Sequence, residues 1–437
     1  MVKVTFMGAG STVFAKNVLG DCLVSPDLKG MEIALYDIDQ ERLEDSLLML
    51  KAINRQYRSK ATIKTYLGVR NRKKALTGAD FVVNAIQVGG YDPCTITDFE
   101  IPKKYGLRQT IADTLGVGGI FRALRTIPVV LDFLADMEAV CPNALFINYS
   151  NPMAMITGAI QQASPIRSIG LCHSVQHCAE SLMHNVGIGN EYDDKVQWDI
   201  AGINHQAWLL SISKNGVDLY PRIKKLAEEV ELPAGDLVRM KMMKTFGYYI
   251  TESSEHTSEY LPYFIKSTQP ELIEKYNIPL DEYPRRCINQ INAWKQQREE
   301  LTTQKKLEHN RSGEYASYII EAMLNNRPYK LGGNVLNKGY ITNLPKAACV
   351  EVPCLIDASG VQPLFVGDLP EQLAALNRTN INPQILAMKA ALTLKKEYVY
   401  EAALLDPHTA AELSIDQIIS MCDDLFEAHK DWMPAYH

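Results

Sequence analysis

Through the first part of the chain, short apolar runs rich in β-branched residues alternate with longer stretches in which apolar residues recur every three or four positions. Val2 to Met7, Glu32 to Tyr36, Thr62 to Tyr66, Phe81 to Ile86, Ala144 to Asn148 and Ser168 to Leu171 are predicted as buried strands. Between them, segments such as Asp39 to Gln56 place Leu43, Leu47 and Leu50 on one helical face. Such alternation predicts a parallel sheet covered on both faces, a doubly wound α/β fold. After about Asn190 the texture changes. Asp199 to Ile212 alternates like one antiparallel strand, and Asn215-Gly216 predicts a hairpin turn into Val217 to Tyr220. Helical stretches follow at Leu237 to Gly247, Glu282 to Lys306 and Arg311 to Asn325. A second strand-rich region runs from Asn334 to Val366, with turn signals at Asn337-Lys338-Gly339 and Ser359-Gly360, and helices resume from Pro370. The expected division is 1–190 and 191–437, with no Gly, Ser or Pro-rich linker between and the active site where the halves meet.

Composition narrows the function classes. Hydrophobic residues at 46% and charged residues at 22% exclude a disordered or fibrous chain. With 45 basic and 51 acidic residues the net charge is −6, which argues against a dedicated nucleic-acid binder and for a small-molecule ligand. No stretch is apolar enough to span a membrane; Ile127 to Val140 is broken by Asp132 and Asp136. The opening Met1 to Gly8 lacks the pattern of a secretory signal, and nine scattered cysteines read as free thiols, so a cytoplasmic location is expected.

The first strand leads directly into Gly8-Ala9-Gly10-Ser11-Thr12-Val13 and a helix beginning near Thr12. A dinucleotide-binding, Rossmann-like unit needs Gly8 for a tight turn and Gly10 so that the backbone can approach a pyrophosphate. The third glycine of that fingerprint is replaced by Val13. The second strand ends in Tyr36-Asp37, which puts a carboxylate where a ribose hydroxyl would sit and favours NAD over NADP. Gly8, Gly10, Ser11, Thr12 and Asp37 are therefore the candidate cofactor contacts. A lactate or malate dehydrogenase begins the same way.

Four polar segments fall where loops should follow strands: Ile111 to Gly119, Asn148 to Met153, Gly170 to Val175, and Gly202 to His205. Together with the opening glycines, with Thr251-Glu252-Ser253-Ser254-Glu255-His256 and with Asp406-Pro407-His408-Thr409, they resemble glycoside hydrolase family 4 over nearly the whole chain. Cys172-His173-Ser174-Val175 is similar to the motif of its melibiase-type α-galactosidases. The resemblance implies a Rossmann-like domain packed on a mixed α+β domain like the C-terminal domain of lactate and malate dehydrogenases. It also implies a homodimer or homotetramer and an NAD-dependent glycosidase working on small α-galactosides such as melibiose or raffinose. The implied chemistry is reversible oxidation at C3, removal of the C2 proton, elimination of the leaving group and addition of water, with a divalent metal at the O2/O3 edge.

By the family pattern, Cys172 and His205 are the metal ligands, a set that suits Mn²⁺, with Ni²⁺, Co²⁺ or Fe²⁺ as substitutes. His173 is the candidate proton donor to the leaving group, or else a substrate hydrogen-bond partner. The C2 base is Tyr260, with Tyr263 as fallback. Asn151 is expected to bind substrate, with help from Asn148, and Asp113 to contact sugar hydroxyls or the cofactor end of the site. His177 and Cys178 are not expected to close a zinc site. The Arg285-Arg286 pair is read equally as substrate-reaching or as a solvated helix face. Two alternatives remain open: a family 4 enzyme acting on another sugar, as an α-galacturonidase or α-glucosidase, and a 2-hydroxy-acid dehydrogenase.

Overall fold

A computed structural model describes residues 1–437. The six early strands form as expected: β1 (Lys3–Met7), β2 (Glu32–Asp37), β3 (Thr62–Leu67), β4 (Phe81–Asn84), β5 (Leu145–Asn148) and β6 (Arg167–Gly170). They pair in parallel in the order β3-β2-β1-β4-β5-β6, the doubly wound order of dinucleotide-binding domains. Their centres are buried, and apolar apart from Thr5 and Ser168, except in β3, an edge strand whose Thr62, Lys64 and Thr65 meet solvent.

The sheet does not stop at β6. It continues antiparallel through β11 (Tyr329–Leu336), β12 (Cys349–Asp357), β7 (Val196–Ile203), β8 (Gln206–Lys214) and the short β10 (Tyr249–Ile250). Two short strands, β9 (Val217–Asp218) and β13 (Gly360–Pro363), pair with β8 and β12. One apolar layer joins the helices Gly116–Val140, Met153–Ala163 and Glu371–Thr393. The opposite layer holds Val13–Val24, Gln40–Tyr57 and Tyr315–Asn325. A third cluster packs Ser174–Asn185, Tyr220–Glu229 and Leu237–Phe246 over β7, β8 and β10.

Several boundaries differ from expectation. The single strand expected over Asp199 to Ile212 is two strands, folded back at Asn204-His205, with His205 left-handed at φ 62°. Burial from Ile200 through Leu209 on both strands erases the alternation that would have marked the turn. β9 ends at Asp218 rather than Tyr220, because the Asp218 carboxylate accepts the Tyr220 N–H at 2.9 Å and Pro221 opens a helix. The helix expected from Arg311 starts at Tyr315, since Ser312 is drawn onto buried Asp21, its N–H donating at 2.8 Å and its hydroxyl at 2.6 Å. The late strand region starts at Tyr329, earlier than Asn334.

Candidate active site

The nucleotide loop is shaped as its glycines require. Gly8 has φ 88°, and a Cβ there would lie 2.7 Å from the Ala85 carbonyl oxygen. The Gly10 N–H donates to Asp37 Oδ2 at 2.5 Å, and Asp37 Oδ1 accepts the N–H groups of Ile38 and Asp39. Thr12 is buried at φ 41° just before the helix beginning at Val13. The Ser11 hydroxyl is buried with no partner in the protein, as expected of a group that meets a ligand phosphate. Loop, orphaned hydroxyl and acidic strand end thus fit a dinucleotide.

Beyond the carboxyl ends of the strands, Cys172, His205, Tyr260, Asp113 and Asn151 join one connected constellation. Cys172 follows β6, and His205 occupies the β7–β8 turn. Glu252, two residues after β10, completes a trio: ligand atoms from Cys172, His205 and Glu252 all lie within 4.8 Å of one another. Glu252 Oε2 is 3.9 Å from Cys172 Sγ and 3.6 Å from His205 Nε2. One thiol, one imidazole and one carboxylate fit a divalent transition metal with coordination positions left open. Burial, with Glu252 and Glu351 adding to it, pushes the Cys172 thiol up; only a cation would make it a thiolate. Burial also acts to raise Glu252, but His205, His256 and Arg239 outweigh it and hold the carboxyl below its usual range.

From the trio the contacts run both ways. His205 Nδ1 meets the Tyr260 hydroxyl at 3.0 Å, and Tyr260 is wholly buried. His256 Nδ1 lies 3.6 Å from Glu252, and its Nε2 lies 3.8 Å from Asp113 Oδ1. The Asn151 amide donates to Asp113 Oδ2 at 3.1 Å, and the Asn151 carbonyl accepts from Arg122 Nε at 3.2 Å. Burial opposes ionisation of Asp113, yet the neighbouring His256 and the charge of Arg122 drive its carboxyl far below the usual range. Tyr260 goes the other way: burial and the carboxylates of Asp113, Glu259 and Glu252 push its phenol well up.

Other predicted residues separate. Tyr263, the fallback base, is 49% exposed and packs edge-on against Phe264. His173 does not join the trio; its Nε2 is 2.7 Å from Glu314 Oε2, and its side chain is 45% exposed. Hydrogen bonding to Glu314 raises its pKa against the opposing effect of burial. Asn148 is wholly buried, and its amide is spent on the Asn84 and Thr157 side chains and on the Ser150 backbone, which shape the loop before Asn151. Its position is that of a loop brace rather than a substrate contact. His177 is exposed and Cys178 lies in the apolar core, so neither reaches the trio. Arg285 is held by Glu282 and the Leu280 carbonyl, Arg286 by Glu282 and Glu255.

Sequence reasoning assigned no role to Glu252, His256, Arg122 or Glu259. The spacing of Glu252 and His256, four residues apart in an acidic, hydroxyl-rich segment, was the one legible signal for the first two. Glu259 has a bracing part: its buried carboxylate accepts the N–H groups of Thr110, Ile111 and Ala112, which fixes the loop that delivers Asp113.

Two family models cover the chain: "Family 4 glycosyl hydrolase" over residues 3–188 and "Family 4 glycosyl hydrolase C-terminal domain" over 200–409. The chain belongs to glycosyl hydrolase family 4. It is 58% identical over the full length of both chains to an alpha-galactosidase of Bacillus subtilis (strain 168). Among solved structures, Bacillus subtilis lplD superposes with a TM-score of 0.86 at 26% identity, over 97% of this chain and 99% of that one. A 6-phospho-alpha-glucosidase from gut microorganisms, solved in complex with NAD and Mn²⁺, has a TM-score of 0.82 at 20% identity with both chains fully covered. Malate dehydrogenase from Plasmodium falciparum, at 16% identity, shares the fold with a TM-score of 0.52 over 91% of this chain and all of that one. The Rossmann-like half and the dehydrogenase-like second half expected from sequence are both present.

Proposed function

We propose that this family 4 chain is an α-galactosidase that uses NAD and a divalent metal, Mn²⁺ by preference, to hydrolyse terminal α-galactosides. The observation that carries the reading is the unbroken contact path from Asn151 and Asp113 through His256 to the Cys172, His205, Glu252 trio and on to Tyr260. The 58% relative supplies the sugar. We take residues 1–190 as the dinucleotide unit and 191–437 as the unit for substrate, metal and self-association, in a homodimer or homotetramer. Nine free cysteines accord with the cytoplasm; no helix is long and apolar enough to cross a membrane.

Gly8, Gly10, Ser11 and Thr12 would hold the dinucleotide, with Asp37 at its ribose; Cys172, His205 and Glu252 would hold the cation. When bound, the nicotinamide supplies reversible hydride exchange at the sugar C3, and the cation supplies polarisation of the O2/O3 edge. Tyr260 takes the C2 proton. With Nε2 of His205 turned toward a bound cation, the ring hydrogen would sit on Nδ1, and this N–H would donate to the Tyr260 oxygen, countering the burial and carboxylates that push the phenol up. Asn151 and ionised Asp113 orient sugar hydroxyls. His173, whose pKa the Glu314 contact raises, delivers a proton to the departing oxygen.

The test is hydrolysis of p-nitrophenyl α-galactoside with NAD⁺, Mn²⁺ and a thiol reductant, then with each withheld. Activity should collapse without NAD⁺ or Mn²⁺. Undiminished turnover after exhaustive removal of NAD⁺ rules out the redox-elimination route.

A further inference from the structure

The two strands that deliver Cys172 and His205 are not neighbours; β11 and β12 stand between them. One row of residues crosses the gap. Gly170, two positions before Cys172, is in register with Asn334 on β11. Asn334 is opposite Glu351 on β12, and Glu351 is opposite Gly202 on β7, three positions before His205. The side chains follow this row: the Asn334 amide donates to the Gly170 carbonyl at 3.4 Å and to Glu351 Oε1 at 2.9 Å. Asn334, Glu351 and Asn204 are all wholly buried. At the near end the row has no room for a side chain, since a Cβ on Gly170 would lie 3.0 Å from the Asn334 Cβ.

Polar groups in this position are expensive. Burial lifts the Glu351 carboxyl to about 7 against the opposing pull of Asn334 and His205. Glu351 Oε2, Asn334 Oδ1 and both amide atoms of Asn204 have no partner in the protein. Apolar residues would hold the four strands together at lower cost, so pairing of the strands alone does not account for the rung.

We propose that Asn334 and Glu351 are positioning residues, a polar crossbar that sets the separation of Cys172 and His205 for a divalent cation. This rests on the metal-site reading above. Metal donors tolerate displacements of only about 0.2 Å, and two donors separated by two intervening strands need a fixed spacer. Groups outside the ligand set that orient the ligands typically change metal affinity by about 10–100-fold when replaced.

The experiment is Mn²⁺ titration of the metal-stripped, full-length protein, followed by the electron paramagnetic resonance signal of free Mn²⁺, with NAD⁺ affinity measured in parallel. Glu351→Met keeps the length of the side chain but cannot accept the Asn334 hydrogen bond; it should weaken Mn²⁺ binding by about 10–100-fold while leaving NAD⁺ affinity unchanged. Glu351→Gln keeps the acceptor and should recover most of the lost affinity. Wild-type Mn²⁺ affinity in Glu351→Met, equal losses in Met and Gln, or a parallel loss of NAD⁺ binding overturns the crossbar. Absence of Mn²⁺ binding by the wild type overturns the metal reading itself. Should Glu351→Met fail to fold, Asn334→Leu removes the same link and is judged by its Mn²⁺ and NAD⁺ affinities alone.

Discussion

His205 Nδ1 and the Tyr260 hydroxyl are 3.0 Å apart, with the opposite ring nitrogen 3.6 Å from Glu252. One imidazole therefore links the proposed base to the proposed metal-ligand group. Tyr260→Phe removes the proton acceptor and leaves the trio intact. Hydrolysis should fall by about 10²–10⁴-fold with Mn²⁺ affinity nearly unchanged, and solvent deuterium should no longer enter at the sugar C2. Retained C2 exchange would assign the base elsewhere.

The Glu314 contact raises the pKa of His173, so a larger share of it carries the proton at neutral pH than of a free histidine. Its importance should scale with the leaving group. His173→Asn should slow hydrolysis of an unactivated α-galactoside by about 100-fold or more, whereas p-nitrophenolate, which departs without a proton, should lose less than about tenfold. Equal losses on both substrates would indicate a binding role.

Gly10 is where a single methyl group tests the cofactor loop. A Cβ there would sit 2.8 Å from Asp37 Oδ2, displacing the carboxylate from the Gly10 N–H. Gly10→Ala should weaken NAD⁺ by at least about tenfold, the scale of one lost hydrogen bond to a charged group, with Mn²⁺ binding unaffected. In the wild type, NAD⁺ should bind more tightly than NADP⁺, because Asp37 repels a ribose 2′-phosphate; the reverse order in a fluorescence titration refutes this placement of Asp37.

Glu351 gives the metal-free protein a pH signature. Its folded-state pKa is raised from 4.5 to about 7 by burial, so between those values the native chain holds a proton that the unfolded chain releases. The native state is favoured by that bound proton at low pH, and this advantage is lost as pH rises through the window. Glu351→Gln removes the effect: relative to wild type, the variant should gain stability between about pH 5 and about pH 8, by up to on the order of 3 kcal/mol. Urea unfolding at both pH values checks the sign; a pH-independent difference counts against a raised Glu351.

Local features carried much of this protein in its linear order. The parallel strands, the Gly8 and Gly10 turn, Asp37 at the end of β2, and the polar loops at Asn151 and Cys172 are each written within a few consecutive residues, because strand burial, turn geometry and helix starts depend on near neighbours. His205 was placed as a site residue, yet the hairpin that aims it was hidden, since both of its strands are buried around the turn and carry no polar face. Glu252, His256, Glu259 and Glu351 acquire meaning only from tertiary structure. Glu252 lies 80 residues beyond Cys172 in the chain yet 3.9 Å from its sulfur, and Glu351 faces Gly202 only because β12 inserts antiparallel beside β7. Ligand atoms must converge within a few ångströms, and when they come from distant segments that convergence is set by sheet order and register, which no local pattern encodes.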